Sequence, residues 1–332
     1  MVSSFPLCGI IADDLGVFSM KKTVFRLATI SLILVAALSC ARDADSIGKT
    51  PAIPDSPAGA VLAVAEAIQN NHAEVLWTAL PESYRQDITE ITRAFSEKMD
   101  PAVYDRAFAL VMRAIEVLDD RKEIILASET FKSTGADADD IRLGLSNSLV
   151  FTDILKVSEV ATVAGLGSVD WEQFLATTGN EFIKQAAAIE SPDGDNPLNS
   201  LDSLKVETIS VSEDRAMLRI SSADHEPEDV EMAKVEGRWI PAELADDWTR
   251  SIEEARQNLA EITPETMAAQ KTQIMMFFGM ADGLIEQIAS LQTPEEFDAA
   301  IGPMLAPLMG GASMNMGEED EWEMTEETPE EE

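Results

Sequence analysis

The sequence predicts a helix-dominated α+β fold in which a helical bundle packs on a small antiparallel β-meander. Apolar residues recur every three or four positions over most of the region 56–190, a spacing typical of amphipathic helices. The spacing changes to two over residues 204–241, which is typical of half-buried strands. It returns to the helical value over residues 242–309. This order of periods places the meander between two groups of helices.

The predicted bundle begins at Ser56–Pro57, because serine is a favoured N-cap and proline a favoured first helical residue. This helix is expected to end at Asn70–Asn71, and a short second helix is expected over Val75 to Leu80. Two amphipathic stripes then predict a helical hairpin that is broken at Asp100–Pro101. The stripes consist of Tyr84, Ile88, Ile91 and Phe95, then Tyr104, Phe108, Val111, Ile115 and Leu118.

A mostly apolar segment runs from Leu149 to Leu166 and carries Asp153, Lys156 and Glu159 on one side. These charges argue against a membrane span and predict one buried or half-buried helix. The glycines at 165 and 167 are expected to end it.

A turn-rich linker over residues 191–203 precedes the predicted meander of three or four strands;. Glu213–Asp214 and Glu236–Gly237 supply the residue types that tight turns prefer. Trp239 is expected to cover the edge or the core of the sheet. The strands are expected over residues 204–212, 215–222 and 229–241, with Ala216, Leu218 and Ile220 sharing one face.

Helix is expected again from Pro241, and Thr263–Pro264 and Thr293–Pro294 mark two further helix starts. The segment 274–281 is apolar on nearly every side, so we expect it at the centre of the fold. Residues 310–332 form a low-complexity acidic tail that is predicted to be disordered. The stripe of the first C-terminal helix is Leu244, Trp248, Ile252, Ala255, Leu259 and Ile262.

Residues 20–39 are predicted to be an export signal. Lys21, Lys22 and Arg26 supply a positive flank, and the apolar run 27–38 follows;. As a helix this run covers about 18 Å, well short of the ~30 Å hydrocarbon core. It therefore favours a cleaved signal over a permanent anchor helix.

Cleavage of this signal is expected between Ser39 and Cys40, after the small residues Ala37 and Ser39. The sequence Ala37-Leu38-Ser39-Cys40 resembles the lipobox of bacterial lipoproteins, although the family usually has leucine where Ala37 stands. The resemblance implies that Cys40 is diacylated and anchors the chain to a membrane. A secreted, unlipidated protein and an uncleaved membrane anchor are the alternatives.

Export signals begin at the amino terminus, so Met20 is the expected start and residues 1–19 are an upstream extension; a longer signal from Met1 is the alternative. Residues 40–55 are expected to be a polar tether. Removal of residues 1–39, which hold three basic and two acidic side chains, leaves a net charge of −38. That charge repels nucleic acid and anionic lipid, and it suits a saline habitat, where self-repulsion is screened.

The predicted meander closes with Val235-Glu236-Gly237-Arg238-Trp239. This order of elements, helices and then a short meander, is similar to that of uncharacterised bacterial envelope lipoproteins. Some of these have cystatin-like or NTF2-like folds, so the resemblance implies a curved sheet wrapped around a helix. The likeness covers about forty residues around the strands, and the extra helices on both sides depart from it.

No catalytic residue or cofactor site is predicted. The sequence has two histidines, His72 and His225, and no GxSxG motif, which argues against a histidine-based triad. Asp224, His225 and Glu226 lie in an acidic loop that could collect a divalent cation, but a solvated loop is the simpler interpretation. Met314 and Met316 could ligate Cu(I), with an inert tail as the simpler interpretation.

The sequence therefore predicts a non-catalytic lipoprotein of the bacterial cell envelope, lipid-anchored through Cys40 on the periplasmic face. Its role would be binding or scaffolding, with a protein as a possible partner and no nucleic acid. The alternatives are an envelope hydrolase with an unrecognised carboxylate site and a metal-binding envelope protein. A flat apolar patch on the helices would favour the protein partner, and a deep pocket with converging acids would favour the enzyme.

Overall fold

The structure, a computed structural model, describes residues 52–188, 198–223 and 226–313. Within these ranges the fold is a helix-dominated α+β fold with a four-stranded antiparallel sheet, as the sequence predicts. The predicted signal, the lipidation site at Cys40 and residues 314–332 lie outside the described residues. The predicted start of the acidic tail at residue 310 is wrong, because the last helix continues to Ser313.

The first four helices begin at or close to the predicted positions, whereas the short helix Asn199–Asp202 lies within the predicted linker 191–203. A 3₁₀ turn over Glu159–Ala161 follows the sixth helix, and a π-helical turn over Leu175–Gly179 joins the eighth to the ninth. The helices are α1 (Pro57–Gln69), α2 (Val75–Ala79), α3 (Glu82–Lys98), α4 (Pro101–Ala127), α5 (Glu129–Lys132), α6 (Ala138–Lys156), α7 (Val163–Gly167), α8 (Trp171–Phe174), α9 (Asn180–Ala188) and α10 (Asn199–Asp202).

The predicted continuous helix from Leu149 to Leu166 is wrong, because α6 ends at Lys156. Ser158 Oγ donates to the carbonyl of Leu155 at 2.8 Å, and Thr162 Oγ1 accepts from the backbone N–H of Gly165 at 3.1 Å. Such hydroxyl groups offer the backbone an alternative to continued helix. A Cβ at Gly165 would meet the carbonyl oxygen of Glu159 at 2.0 Å. The backbone after the end of α6 can pass this close to Glu159 only because residue 165 is glycine.

The sheet is a simple meander in which each strand pairs with the next. The pairing of the first two strands shifts register between Thr208 and Ser210, which marks a bulge on the edge strand. Glu236 and Gly237 both have positive φ, 49° and 78°, as a type I′ hairpin turn requires. The strands are β1 (Lys205–Val211), β2 (Arg215–Ser221), β3 (Glu228–Val235) and β4 (Arg238–Pro241).

Three helices follow the sheet: α11 (Ala242–Glu261), α12 (Pro264–Ser290) and α13 (Pro294–Ser313). α11 packs against α3 and the last two strands, α12 runs along α4, and α13 contacts α4 and α5. α4 therefore lies between α6 and α12.

The core consists of several apolar clusters rather than one. α1 covers the sheet, whose buried face contains Ala216, Leu218 and Met232 together with Trp239. Ala216 and Leu218 confirm the predicted alternation, and Trp239 is buried in the core as expected. A second cluster joins α3, β4 and α11, and a third joins α4, α12 and α13.

The prediction that the segment 274–281 lies at the centre of the fold is wrong. Phe278 is buried, with 8% of its surface exposed, but Met276, Phe277 and Met280 are 62%, 51% and 60% exposed. α12 has α4 along one side only, so a helix that is apolar all round leaves its other side facing solvent.

Candidate functional site

The site residues predicted from the sequence do not form a described constellation. Asp224, His225, Met314 and Met316 lie outside the described residues, as do Ser39 and Cys40. Glu226 is described and is exposed ahead of β3. Across residues 52–188, 198–223 and 226–313 there is no group of three His, Cys, Asp or Glu side chains placed to hold a metal ion.

A histidine–carboxylate pair that the sequence analysis did not single out lies in the turn between α1 and α2. His72 Nδ1 is 2.8 Å from Glu74 Oε1, and both side chains are largely buried. Within the described residues Glu74 is the only side chain that hydrogen-bonds the ring. A general base needs a substrate or nucleophile within reach of the imidazole ring. The contact between His72 and Glu74 by itself only joins two side chains of the same turn.

The surroundings of this turn are built for close packing. Asn180 Oδ1 accepts from the backbone N–H of Ala73 at 2.7 Å, which ties the turn to the start of α9. A Cβ at Gly179 would lie 3.0 Å from the Cβ of Ala73, so glycine permits this approach. His72 therefore belongs to a structural junction between α1, α2 and the π-helical turn.

The groups whose pKa values are displaced take part in ion pairs and hydrogen bonds that stabilise the fold. Among the described residues, every carboxyl pKa that departs from its ordinary value is lowered: a hydrogen bond from Arg215 lowers the pKa of Asp246, and one from the α5 residue Thr130 lowers that of Asp298. Burial raises the pKa of Tyr104, whose hydroxyl donates to the carbonyl of Val160 at 2.8 Å. A general acid at neutral pH needs a raised carboxyl pKa, and these lowered values belong to ion pairs and helix ends instead.

One surface with functional character is the outer face of α12, by which we mean the exposed side chains of Met276, Phe277 and Met280. The two methionines are four residues apart and lie on the side of the helix opposite Phe278. The stretch 272–281 that contains them has no ionisable residue, in a chain whose net charge is −37. A cluster of large exposed apolar side chains on an uncharged stretch is typical of an interaction surface.

The border between α4 and α12 carries two arginines that share one carboxylate. Arg106 Nη2 contacts Asp282 Oδ2, and Arg113 Nη1 lies 3.6 Å from the other carboxylate oxygen. Together with Ala109 and Leu110 they line a shallow depression of about 240 Å³. Since Asp282 is engaged by both arginines, this border holds α12 against α4.

A second surface is the acidic groove between α6 and the helix formed by α8, the π-helical turn and α9. It is a groove open to solvent, with a volume of about 720 Å³. α6 and α9 touch where Phe151 stacks on Phe182, with ring centroids 5.1 Å apart. The groove is lined by Val150, Asp153, Ile154, Val157, Ser158, Glu159, Thr177, Thr178, Glu181 and Gln185.

Comparison of the chain with family models, with curated proteins and with solved structures gives no match in any of the three. Within the described ranges, no helix is both long and apolar enough to cross a membrane.

Proposed function

We propose that this protein is a non-catalytic lipoprotein of the bacterial cell envelope that binds a partner protein through the outer face of α12. The exposure of Met276, Phe277 and Met280 carries the binding part of this proposal. Burying these side chains against a partner would remove apolar surface from water, which stabilises association. Methionine suits such a surface because its flexible thioether adapts to the shape of its partner.

The charges near the ends of α12 indicate the chemistry of the partner. Glu265 and Glu286 are exposed near the two ends of α12, about 31 Å apart along the helix axis; Glu265 lies on the side of Met276, and Glu286 lies on the flank of the helix, about 80° round from Met276. A partner helix with an apolar face and basic residues toward its ends would complement this arrangement. The proposed occupant is such a helix.

Two other occupants fit this face less well. A second copy of the chain would bring a net charge of −37 toward an equal one, and its acidic residues at 265 and 286 would approach those of the first. An anionic lipid surface is repelled by the same charge. Neither supplies the basic groups that the ends of α12 favour.

The anchoring part of the proposal rests on the sequence. The positive flank and apolar run of residues 20–39, followed by the lipobox-like Ala37-Leu38-Ser39-Cys40, favour cleavage before Cys40 and attachment of a lipid there. The predicted tether of residues 40–55 is too long, because Ile53 packs against the sheet cluster and Asp55 pairs with Lys234 at 2.6 Å. Residues 40–51 would tether the folded part at the membrane. One diacylated cysteine carries two acyl chains, which is enough for stable anchoring.

The docking surface is tested with two designed helical peptides that share an apolar face and carry either lysines or glutamates along its rim. Fluorescence anisotropy with the purified full chain, at about 0.15 M salt to screen long-range attraction, should show saturable binding of the lysine peptide only. The double substitution Met276→Gln and Met280→Gln keeps the charge and should weaken this binding about tenfold.

A matched control replaces two exposed apolar residues of the edge strand, Ile209→Gln and Val211→Gln, and should leave the affinity unchanged. A lysine peptide with its apolar face scrambled should bind no better than background. Equal binding of the glutamate peptide, or unchanged binding by the α12 double variant, would reject the proposed surface.

The anchor is tested by intact-mass analysis of the mature amino terminus in the wild type and in Cys40→Ser. A mass that starts at a diacylated Cys40 supports anchoring, and this mass should be absent from the variant. An unmodified Cys40, or a chain that still begins at Met1, would overturn the anchoring part and leave the docking part to its own test.

A further inference from the structure

The acidic groove has an apolar floor that no other described element covers. Val150 and Ile154 lie four residues apart on one face of α6, and Val157 is the residue directly after the helix, at the same end of the groove. Val157 is 87% exposed, far more than an apolar residue at the end of a packed helix needs to be. The floor therefore offers apolar contact area to a ligand.

Carboxylates surround this floor from three directions. Asp153 comes from α6, Glu159 from the 3₁₀ turn and Glu181 from α9, whereas none of the described lining residues is basic. Across the described ranges no lysine, arginine or histidine lies within ion-pair distance of the Glu159 carboxylate. The groove thus has an excess of negative charge beside an apolar surface.

Nearby lysines reduce this excess only in part. Lys156 donates to Glu116 of α4 and lies 3.6 Å from Asp153, so its ammonium group is shared with a residue that does not line the groove. Lys184 lies 3.6 Å from Glu181, whose other carboxylate oxygen accepts from Gln185 Nε2 at 2.8 Å. Glu159 remains the carboxylate most available to a ligand.

The wall opposite the floor contains the π-helical turn Leu175–Gly179. π-helical turns are rare and often occur at functional sites. Thr177 Oγ1 donates to the carbonyl of Gln173 at 2.8 Å, and Asn180 Nδ2 donates to that of Ala176 at 2.8 Å. These side-chain hydrogen bonds connect successive turns of the backbone and help to hold the shape of this wall.

We propose that the acidic groove binds a small organic cation, an ammonium or guanidinium group carried on an apolar body. The cationic group would lie at Glu159, between Asp153 and Glu181, and the apolar body would cover the floor of Val150, Ile154 and Val157. This inference goes beyond the proposed function, because the groove and the outer face of α12 share no residue.

The charge and the apolar floor of the groove support this class of ligand. The groove lies between two helices and is open to solvent, so a small molecule can reach its floor. An anionic ligand would meet three carboxylates, and a neutral apolar ligand would leave them without a new partner. A cation gains charge-assisted hydrogen bonds there in addition to the apolar contact.

Three probes with the same eight-carbon chain test the proposal: octylammonium, octanoate and octan-1-ol. Isothermal titration calorimetry of the full chain at about 0.15 M salt should show saturable binding of octylammonium. Octanoate and octanol should bind at least about tenfold more weakly. Equal affinity for octanoate would overturn the proposal.

Two variants locate the binding. Glu159→Gln should weaken octylammonium binding about fivefold, since it removes the carboxylate without a competing lysine. Val157→Lys places an ammonium group of the protein itself among the acids and should abolish binding; the exposure of Val157 lets this variant fold, which circular dichroism checks. Unchanged binding in both variants would overturn the proposal.

Two controls separate this test from generic attraction and from the α12 surface. Asp140→Asn makes the same charge change on an exposed residue of α6 that does not line the groove, and it should leave the affinity unchanged. The Met276→Gln and Met280→Gln double variant should also bind octylammonium normally. Loss of octylammonium binding in that double variant would place the ligand on α12 and reject the groove.

Discussion

At the scale of single residues, neighbours in the sequence have opposite environments. Phe277 is 51% exposed and Phe278 is 8% exposed, although both belong to an apolar run that gives no helical stripe. The pattern alone could not assign either residue to the core, because period arguments need polar residues to mark the solvent side. The position of α4 decides which phenylalanine is buried.

The two phenylalanines therefore form a matched pair for mutation. Phe278→Ala should lower the free energy of unfolding by about 3–5 kcal/mol, because it removes a buried ring and leaves a cavity. Phe277→Ala should change it by less than about 0.5 kcal/mol, as is usual for a surface position. Urea denaturation followed by circular dichroism measures both, and equal losses would contradict the described orientation of α12.

Among the features of single residues, the buried polar contacts were the hardest to predict from the sequence. The approach of His72 to Glu74, and of Asn180 to Ala73, depends on the turn between α1 and α2, where Asn71 has a φ of 62°. Asparagine tolerates this left-handed conformation. The sequence indicates a helix end at Asn70–Asn71, but the partners of His72 follow only from the path of the chain after it.

At the scale of elements, helix starts were the most predictable feature. α1, α12 and α13 each begin at the proline of a Ser-Pro or Thr-Pro pair, because proline fits the first helical position and the preceding residue favours extended backbone. The break after α6 could not be predicted from the spacing of apolar residues. It depends on hydrogen bonds between the hydroxyl groups of Ser158 and Thr162 and the backbone, and composition does not reveal these bonds.

Asp100 joins two elements and predicts a pH dependence. It caps α4 by accepting from the backbone N–H of Ala102 at 2.9 Å, and it accepts from Lys271 of α12 at 2.7 Å. The hydrogen bond from Lys271 is the largest cause of the lowered pKa of Asp100. A pKa that is lower in the folded state stabilises the fold above the unfolded value of about 3.9, and this contribution is lost as the pH falls through the folded value.

Asp100→Asn keeps an oxygen that can cap the helix but loses the charge. It should therefore be less stable than the wild type at pH 7, and the difference should shrink between roughly pH 5 and pH 3. Urea denaturation across this pH range measures the difference. In a Lys271→Met background the difference should be smaller and less dependent on pH, and a difference that grows on acidification would contradict the assignment.

At the scale of the whole molecule, negative charge is the dominant property. The described ion pairs are mostly exposed, such as Arg215 with Asp246 and Arg219 with Asp229, and water and salt screen such pairs, so each contributes little to stability. With 61 acidic and 24 basic residues, repulsion among unmatched carboxylates acts over the entire surface. Repulsion should therefore outweigh the pairs.

Added salt should consequently stabilise the protein. Raising NaCl from about 0.05 M to about 1 M shortens the screening length from more than 10 Å to about 3 Å, which relieves repulsion in the compact state. The midpoint of urea denaturation should rise, and KCl should have the same effect if screening is the cause. A falling midpoint would mean that the ion pairs outweigh the repulsion.

The fold class, most helix starts, the alternation in β2 and the acidic surface follow from local spacing, capping and composition, so they could be predicted from the amino-acid order. The exposure of one side of α12, and the early end of α6 that opens a groove, became visible only in the folded chain. Both depend on which neighbours a helix has and where they stop. A stripe in the sequence identifies a face that can be buried, but packing between distant segments decides whether anything covers it.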